Sequence, residues 1–246
     1  MSIIHRTTMK PTKLELLEPW LPTQPWYAGE GERPTLAKAG GFRLDDPKGE
    51  VGIEFMVVID DSGDEPIAYH IPLTYRGAPI EGADDALIGM SEHGVLGKRW
   101  IYDGTHDPVL AAQLLALLQG DAEPQAQSVS DTPDPSVLSS FAASGGRASV
   151  KSSTTAHGRE GTELRLELTI DGEVVTEPAG PAQELIIRVT RVLRPGGPAS
   201  GAAEAGTADA GAAEAGTAEP LGHVTAGWSL PESTESRGAF AVVLGS

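Results

Sequence analysis

The residues of this sequence that could do acid–base chemistry are carboxylates and histidines, and their spacing favours structural roles. Asp60-Asp61 and Asp84-Asp85 are paired carboxylates, but each pair lies in a predicted turn, where solvated side chains are expected. His106-Asp107 stands at the start of a predicted helix, where Asp107 is explained as the cap. The other histidines are isolated and share no metal-ligand spacing: His70, His93, His157 and His223. We therefore predict no catalytic residue and no metal site.

The sequence also lacks the short motifs of well-known enzyme classes. It contains no Gly-x-Ser-x-Gly elbow, no His-Glu-x-x-His and no phosphate-loop signature. The segment Gly158-Arg159-Glu160-Gly161 is predicted to be a turn between strands and only weakly resembles a glycine-rich phosphate cover. Because the chain has no cysteine, disulfides, thiolate zinc sites and cysteine nucleophiles are excluded.

The overall charge limits the partners that the protein can have. The formal net charge is −17 over 246 residues, which argues against binding to nucleic acid or to an anionic membrane. Residues 1–10 show no signal-peptide pattern, and no stretch approaches the ~20 apolar residues of a membrane span. We expect a cytoplasmic protein that binds a neutral ligand or another protein.

The most distinctive stretch of the sequence runs from Trp20 to Pro34. It places two tryptophans six residues apart on a backbone that three prolines stiffen, and two glycines permit a tight turn directly afterwards. Such a segment is either a structural plug that packs a helix onto a sheet or a docking or ligand-contact loop. Its candidate binding residues are Trp20, Trp26, Tyr27, Gly29, Gly31 and Arg33. We expect Trp20 to be structural and the tip from Pro25 to Gly31 to be partly exposed.

The elements around this stretch predict an α+β module over residues 1–125. Ile3 and Ile4 form a short apolar start, and a helix follows from Lys13 to Trp20, because Thr12 and Glu15 have capping-box spacing. Asp107-Pro108 opens a second helix, which Gly120 ends. Four strands are predicted between the helices: Lys38–Leu44, Gly52–Ile59, Ile67–Tyr75 and Val95–Tyr102. Pro72 suggests an edge strand or a bulge, and the segment from Arg76 to Gly89 is predicted to be a loop.

Residues 126–146 are predicted to be a linker, since Pro, Ser, Asp and Ala dominate this part of the chain. A mostly antiparallel β module is predicted over residues 147–246. Its expected strands are Ala148–Ser152, the alternating segment around Leu164–Ile170, Val174–Val175 after an Asp171-Gly172 turn, Leu185–Leu193, His223–Leu230 and Ala239–Leu244. The insert at 199–220 holds two copies of a ten-residue Ala/Gly unit and is predicted to be disordered.

The stretch from Trp20 to Pro34 resembles the start of bacterial maltokinases, which carry a Trp-Leu-Pro…Trp-(Phe/Tyr)-Ala-Gly-Lys-Gly-Arg-like segment in an N-terminal cap domain. The matching residues are Trp20, Leu21, Pro22, Trp26, Tyr27, Ala28, Gly29, Gly31 and Arg33. Glu30 stands where the family usually has a basic residue. Over residues 1–125 the resemblance implies a cystatin-like cap, in which an antiparallel sheet wraps on a helix.

The second module resembles the kinase N-lobe that follows this cap. Glu184–Gly196 is similar to the strand that carries the ATP-phosphate lysine, and Arg188 stands at the lysine position. A His-x-Asp catalytic loop and an Asp-Phe-Glu-like motif occur nowhere in the 246 residues. Similar cap-like proteins are sometimes labelled 1,4-alpha-glucan branching proteins, but that chemistry needs a barrel of ~250 residues with catalytic carboxylates.

Two functional hypotheses follow from this resemblance. The first is a non-catalytic partner or regulatory module of sugar or glycogen metabolism, which docks on a kinase or another carbohydrate-metabolism protein through the face from Trp20 to Arg33. The alternative is a degenerate kinase-like protein that binds a nucleotide or a sugar through Arg188 and the 158–161 turn. Only the alternative calls for ATP and Mg²⁺, and kinase activity of the chain itself is not expected.

Overall fold

The computed structural model describes residues 9–31, 33–129, 131–142, 146–170, 183–196, 220–230 and 235–244. Its two α-helices are α1 (Lys13–Trp20) and α2 (Pro108–Leu118). Its strands are β1 (Met9–Lys10), β2 (Leu36–Leu44), β3 (Gly52–Asp60), β4 (Ile67–Arg76), β5 (Leu87–His93), β6 (Gly97–Asp103), β7 (Gln125–Ala126), β8 (Leu138–Phe141), β9 (Ala148–Gly158), β10 (Gly161–Ile170), β11 (Gln183–Val189), β12 (Val192–Leu193), β13 (Gly222–Ser229) and β14 (Glu235–Leu244). The predicted features at Ile3–Ile4 and at 171–175, and the 199–220 insert apart from its last residue, lie outside the described residues.

The strands form one antiparallel sheet in the order β1-β5-β6-β4-β3-β2-β13-β14-β11-β10-β9. After β11 the chain continues through Thr190 and Arg191 into β12, which pairs with β4. Strands β4, β3, β2, β13, β14 and β11 are successive neighbours in the sheet. The chain link from β11 to β12, which pairs with β4, closes this path. Strands from both halves of the chain share this path, and the sheet-dominated α+β class predicted from the sequence is confirmed.

The central strand β3 is buried on both faces, which explains its unbroken apolar run from Phe55 to Ile59. Its side chains alternate between two hydrophobic clusters, because successive residues of a strand point to opposite faces. Phe55 and Val57 join a cluster that contains α2 and residues of the second half, such as Ile187. Met56 and Val58 join a smaller cluster around α1 and the loop after it.

Both helices begin where the local sequence predicts. At α1 the Thr12 hydroxyl oxygen accepts from the Glu15 amide at 3.3 Å, and the Thr12 amide donates to the Glu15 carboxylate at 2.6 Å. At α2 the Asp107 carboxylate accepts from the Val109 amide at 2.9 Å. Among the described residues, no helix is both long and apolar enough to cross a membrane.

Two segments predicted without regular structure contribute strands. The predicted loop from Arg76 to Gly89 ends inside β5, which pairs with β6. The predicted linker region carries β7 and β8, which pair with β2 and β13 respectively. The division into modules at 1–125 and 147–246 stays a prediction. Strands from both predicted modules lie in one sheet.

Pro72 lies at a local gap in the sheet. On one side of β4 it faces Phe55 of β3 in register. On the other side β12 pairs only with the start of β4 and β6 only with its end. The His70 amide donates to the Arg191 carbonyl at 2.8 Å. Backbone amides two residues apart on a strand point to the same side, so the nitrogen of Pro72, which carries no hydrogen, also faces this side. The proline therefore occupies a position of an interior strand that has no partner to bond. Of the two alternatives predicted from it, the edge strand is wrong, and the register of β3 with β4 shows no bulge at Pro72.

Candidate functional site

The loop after α1 packs inward, with Trp26 at its centre. Trp26 is 2% exposed. Its ring meets Trp20 edge-on at a centroid distance of 5.8 Å and lies 6.0 Å from Tyr69 of β4. Trp20 itself is only partly buried. The tip is partly exposed as expected, at Pro25, Ala28, Glu30 and Gly31. The expectation is wrong for Trp26, because the tryptophan of the tip is a core residue.

Tyr27 fastens the tip of this loop to the sheet. Its ring stacks on Tyr69 at 5.7 Å, and its hydroxyl lies 3.0 Å from the Asp60 carboxylate. Burial and the Asp60 carboxylate raise the pKa of Tyr27 to about 12. A Cβ added to Gly29 would lie 2.2 Å from the Tyr27 hydroxyl oxygen, so this position has no room for a side chain. Gly31 and Arg33 are exposed.

Arg191 also contacts Trp26 and is completely buried. The centre of its guanidinium is 4.9 Å from the Trp26 ring, a cation–π distance. Its Nη2 donates to Asp103 at 2.6 Å, and its Nε donates to the Thr162 hydroxyl at 2.8 Å. Burial opposes ionisation of Asp103, but Arg191 outweighs it and holds the pKa of Asp103 below its usual range. The buried ion pair between Arg191 and Asp103 thus links the two halves of the chain beneath the loop that carries Trp26.

The Arg191 network continues to two histidines that are 51 residues apart in the chain. The Nε2 atoms of His106 and His157 lie 2.9 Å apart, and His157 Nδ1 lies 2.9 Å from the Thr162 hydroxyl oxygen. Since Arg191 can only donate, the Thr162 hydroxyl accepts from it and is free to donate to His157 Nδ1. His157 then carries its proton on Nε2 and donates to His106. Burial lowers the pKa of both histidines, which favours these neutral forms.

The structure brings Arg188 and the 158–161 turn together, as the alternative hypothesis requires. They border a surface cavity of about 360 Å³. Its lining consists of Ala156, His157, Gly158, Arg159, Glu160, Gly161, Glu163 and Arg188. Arg188 lies 3.8 Å from the Glu163 carboxylate. Two arginines and two glutamates therefore line one open cavity, and His157, which also lines it, connects it to the buried network.

Sequence reasoning missed the Arg191 network, although one signal for it was present. Alternate residues from Leu185 to Leu193 are buried, and Arg191 has the same parity as these residues. Arg188 has the opposite parity and points outward. Asp103 and the two histidines carried no comparable signal, because their partners are distant in sequence. Within the described part of the chain, no group of three or more acidic, histidine or cysteine side chains could hold a metal ion.

Taken together, the strands and helices define a sheet-dominated α+β protein with an inward-packed aromatic loop after its first helix. Residues 20–107 match the model of the maltokinase N-terminal cap domain, which confirms the resemblance predicted for this stretch. No curated protein matches the chain. Arg188, Arg191 and the cavity lie outside the matched residues.

Proposed function

We propose that this chain is a non-catalytic module, related to the maltokinase cap, that binds a carbohydrate kinase and regulates it. The observation that carries the proposal is the match of residues 20–107 to the cap domain of such a kinase. The motifs for metal binding and for orientation of the attacking hydroxyl are absent from the 246 residues. A cap without this machinery acts through contacts with a protein that has it.

The finer architecture belongs to the same proposal. A cystatin-like arrangement is supported by α1, whose buried Leu17 joins the cluster on one face of β3 and β4. An N-lobe-like arrangement is supported by β9, β10 and β11, which are antiparallel neighbours joined at the 158–161 hairpin. Arg188 lies on β11 and borders the cavity at that hairpin.

The proposal is tested with the catalytic region of a maltokinase from which its own cap has been removed. Isothermal titration calorimetry measures binding of the full chain, and a coupled ADP-release assay with maltose measures the activity of the catalytic region with and without it. We expect saturable binding and a change in KM or kcat. Absence of binding at 100 μM, with both proteins folded by circular dichroism, would contradict the proposal.

The cavity beside Arg188 favours a second candidate function, the binding of a small polar molecule. Its two arginines and two glutamates balance in formal charge, which suits a neutral sugar, whose hydroxyls both donate and accept, better than a triphosphate, which calls for a net positive charge. A bound ligand would stabilise the fold by about 2.7 kcal/mol at 100 times its dissociation constant. Thermal shifts with maltose, glucose and MgATP test this function.

A matched pair of variants locates any such binding. Arg188 and Arg165 have side chains that are 43% and 44% exposed and both lie near Glu163, but only Arg188 borders the cavity. Arg188→Ala should abolish a ligand-induced shift, and Arg165→Ala should retain it. Equal loss in both variants would exclude the cavity as the site.

A further inference from the structure

The short helical turn before α2 (Gly104–His106) meets strand β9 through side chains from the two halves of the chain. His106 Nε2 lies 2.9 Å from His157 Nε2, and the Thr155 hydroxyl donates to the Thr105 carbonyl at 2.6 Å. Both histidines are only partly buried, and His157 also lines the open surface cavity. Protons from solvent therefore have access to the contact between the two rings.

The distance between the two rings leaves room for one hydrogen only. Nitrogens 2.9 Å apart form a hydrogen bond when one donates and the other accepts, and in the neutral pair His157 donates to His106. One extra proton fits on His157 Nδ1, because the Thr162 oxygen has two lone pairs and can accept from both Arg191 and His157. A second extra proton would fall on His106 Nε2, where two N–H groups would face each other without an acceptor.

The charged groups that face the pair do not compensate for two extra positive charges. Asp103 favours the charged form of both rings, and Asp85 favours that of His106. Arg191 opposes the charged form, and burial, the largest influence, opposes it as well, so the pKa of both rings is lowered. On the cavity side the formal charges balance, since two arginines and two glutamates line it: Arg159, Glu160, Glu163 and Arg188. The pair is thus neutral at pH 7 and takes up two protons only in acid solution.

We propose that the contact between His106 and His157 is a pH-sensitive joint, which holds the turn before α2 against β9 at neutral pH and opens when both rings are protonated. This inference goes beyond the proposed function and requires neither a kinase nor a sugar. The joint opens because the donor–acceptor arrangement is lost and because two adjacent imidazolium charges repel each other. Since His157 lines the cavity, opening of the joint also changes the shape of the cavity.

The histidine tautomers of the wild-type chain provide the first test. Long-range proton–nitrogen correlation spectra of the full chain identify which ring nitrogen carries the hydrogen, and His106→Gln and His157→Gln assign the signals. At pH 7.5 we expect the hydrogen on Nδ1 of His106 and on Nε2 of His157, and two separate protonation steps as the pH falls to 4. Hydrogen on Nε2 of both rings, or independent titration at the ordinary histidine pKa of about 6.5, would overturn the inference.

Opening of the joint is measured by amide hydrogen exchange of residues 101–107 and 148–158, with rates corrected for their intrinsic dependence on pH. The proteins compared are the wild type, His106→Gln, whose amide stays uncharged, and His223→Gln, which removes a partly buried histidine elsewhere in the sheet. From pH 7 to pH 4.5 we expect protection of these segments to fall at least tenfold more in the wild type and in His223→Gln than in His106→Gln.

The comparison isolates the joint from general acid destabilisation. Loss of stability through His70 and the carboxylates is common to all three proteins and cancels. An equal fall of protection in all three would overturn the inference. Circular dichroism at pH 7 first shows whether both variants fold, and if His106→Gln does not, the tautomers of the wild-type chain decide the question.

Discussion

Arg188 and Arg191 lie three residues apart on one stretch of chain, yet they stand in opposite environments. Arg191 is completely buried, and its Nη2 lies 2.6 Å from the Asp103 carboxylate. The Arg188 side chain is 43% exposed and lies 3.8 Å from Glu163. Alternation along the strand accounts for the difference, because an odd spacing places the two side chains on opposite faces.

This comparison shows that one stretch of chain places its two arginines in a buried network and at an open cavity respectively. The inward arginine connects Trp26, Asp103 and Thr162, which belong to different parts of the sequence. The outward arginine borders an open cavity and is available to a ligand. An arginine in this stretch is therefore not a candidate for ligand binding until its burial is known, because Arg191 is buried and Arg188 is exposed.

The largest effect is expected for Arg191→Met. The substitution leaves the Asp103 carboxylate buried without its cation, which costs about 3–5 kcal/mol in the free energy of unfolding. Arg188→Met removes only an exposed ion pair, worth about 0–1 kcal/mol. Urea unfolding of both variants measures the difference. Similar stabilities for the two variants would refute the contrast between them.

Trp26→Ala should destabilise the fold by about 3–5 kcal/mol, because it removes a fully buried aromatic side chain and leaves a cavity. Trp20→Ala should cost clearly less, since Trp20 is partly exposed. Thermal or urea denaturation compares the two. A larger effect at Trp20 would mean that the helix, and not the loop tip, supplies the main anchor.

A smaller, pH-dependent effect is expected from His70, which is buried beside Phe240 at 4.4 Å. Burial lowers the pKa of His70 to about 3. Below the ordinary pKa of about 6.5, the unfolded chain takes up a proton that the folded chain does not, so stability falls as the pH falls. Between pH 7 and pH 5 this contributes about 2 kcal/mol.

His70→Phe should remove this contribution, so its stability should fall less steeply than that of the wild-type protein over this range. Chemical denaturation at several pH values measures how steeply the free energy of unfolding of each protein depends on pH. Acidic residues mostly titrate below pH 5 and so affect this comparison little. Parallel curves for the two proteins would show that His70 is not held neutral by the fold.

The smallest effect is expected for Tyr27→Phe. It removes the hydroxyl that lies 3.0 Å from Asp60 but keeps the ring that stacks on Tyr69. The expected loss is about 0.5–1.5 kcal/mol, which is typical of one hydrogen bond. Denaturation measures it, and a loss as large as that of Trp26→Ala would show that the hydroxyl does more than fasten the loop.

The sequence was most informative where the deciding interactions are local. Thr12 and Glu15 marked the start of α1, and Asp107 marked the start of α2, because a cap satisfies backbone groups only a few residues away. The short strands β7 and β8 could not be predicted in this way. They form through pairing with β2 and β13, which lie far from them in sequence.

The contrast between local and long-range interactions also explains which parts of the candidate site could be predicted. The aromatic loop was recognised from its own composition, but the burial of Trp26 depends on Tyr69 and Arg191. The contact between His106 and His157 likewise depends on the placement of β9 beside the turn before α2. Arg188 and the 158–161 turn were brought together as proposed, since they lie on strands that are neighbours in the sheet.

The proposal that the chain is a non-catalytic module is tested most directly by a coupled ADP-release assay on the purified full chain. Maltose, glucose and glucosamine serve as acceptors, and Arg188→Ala is assayed in parallel. We predict no turnover above background for either protein. Turnover that persists through stringent purification and is lost in Arg188→Ala would contradict the account.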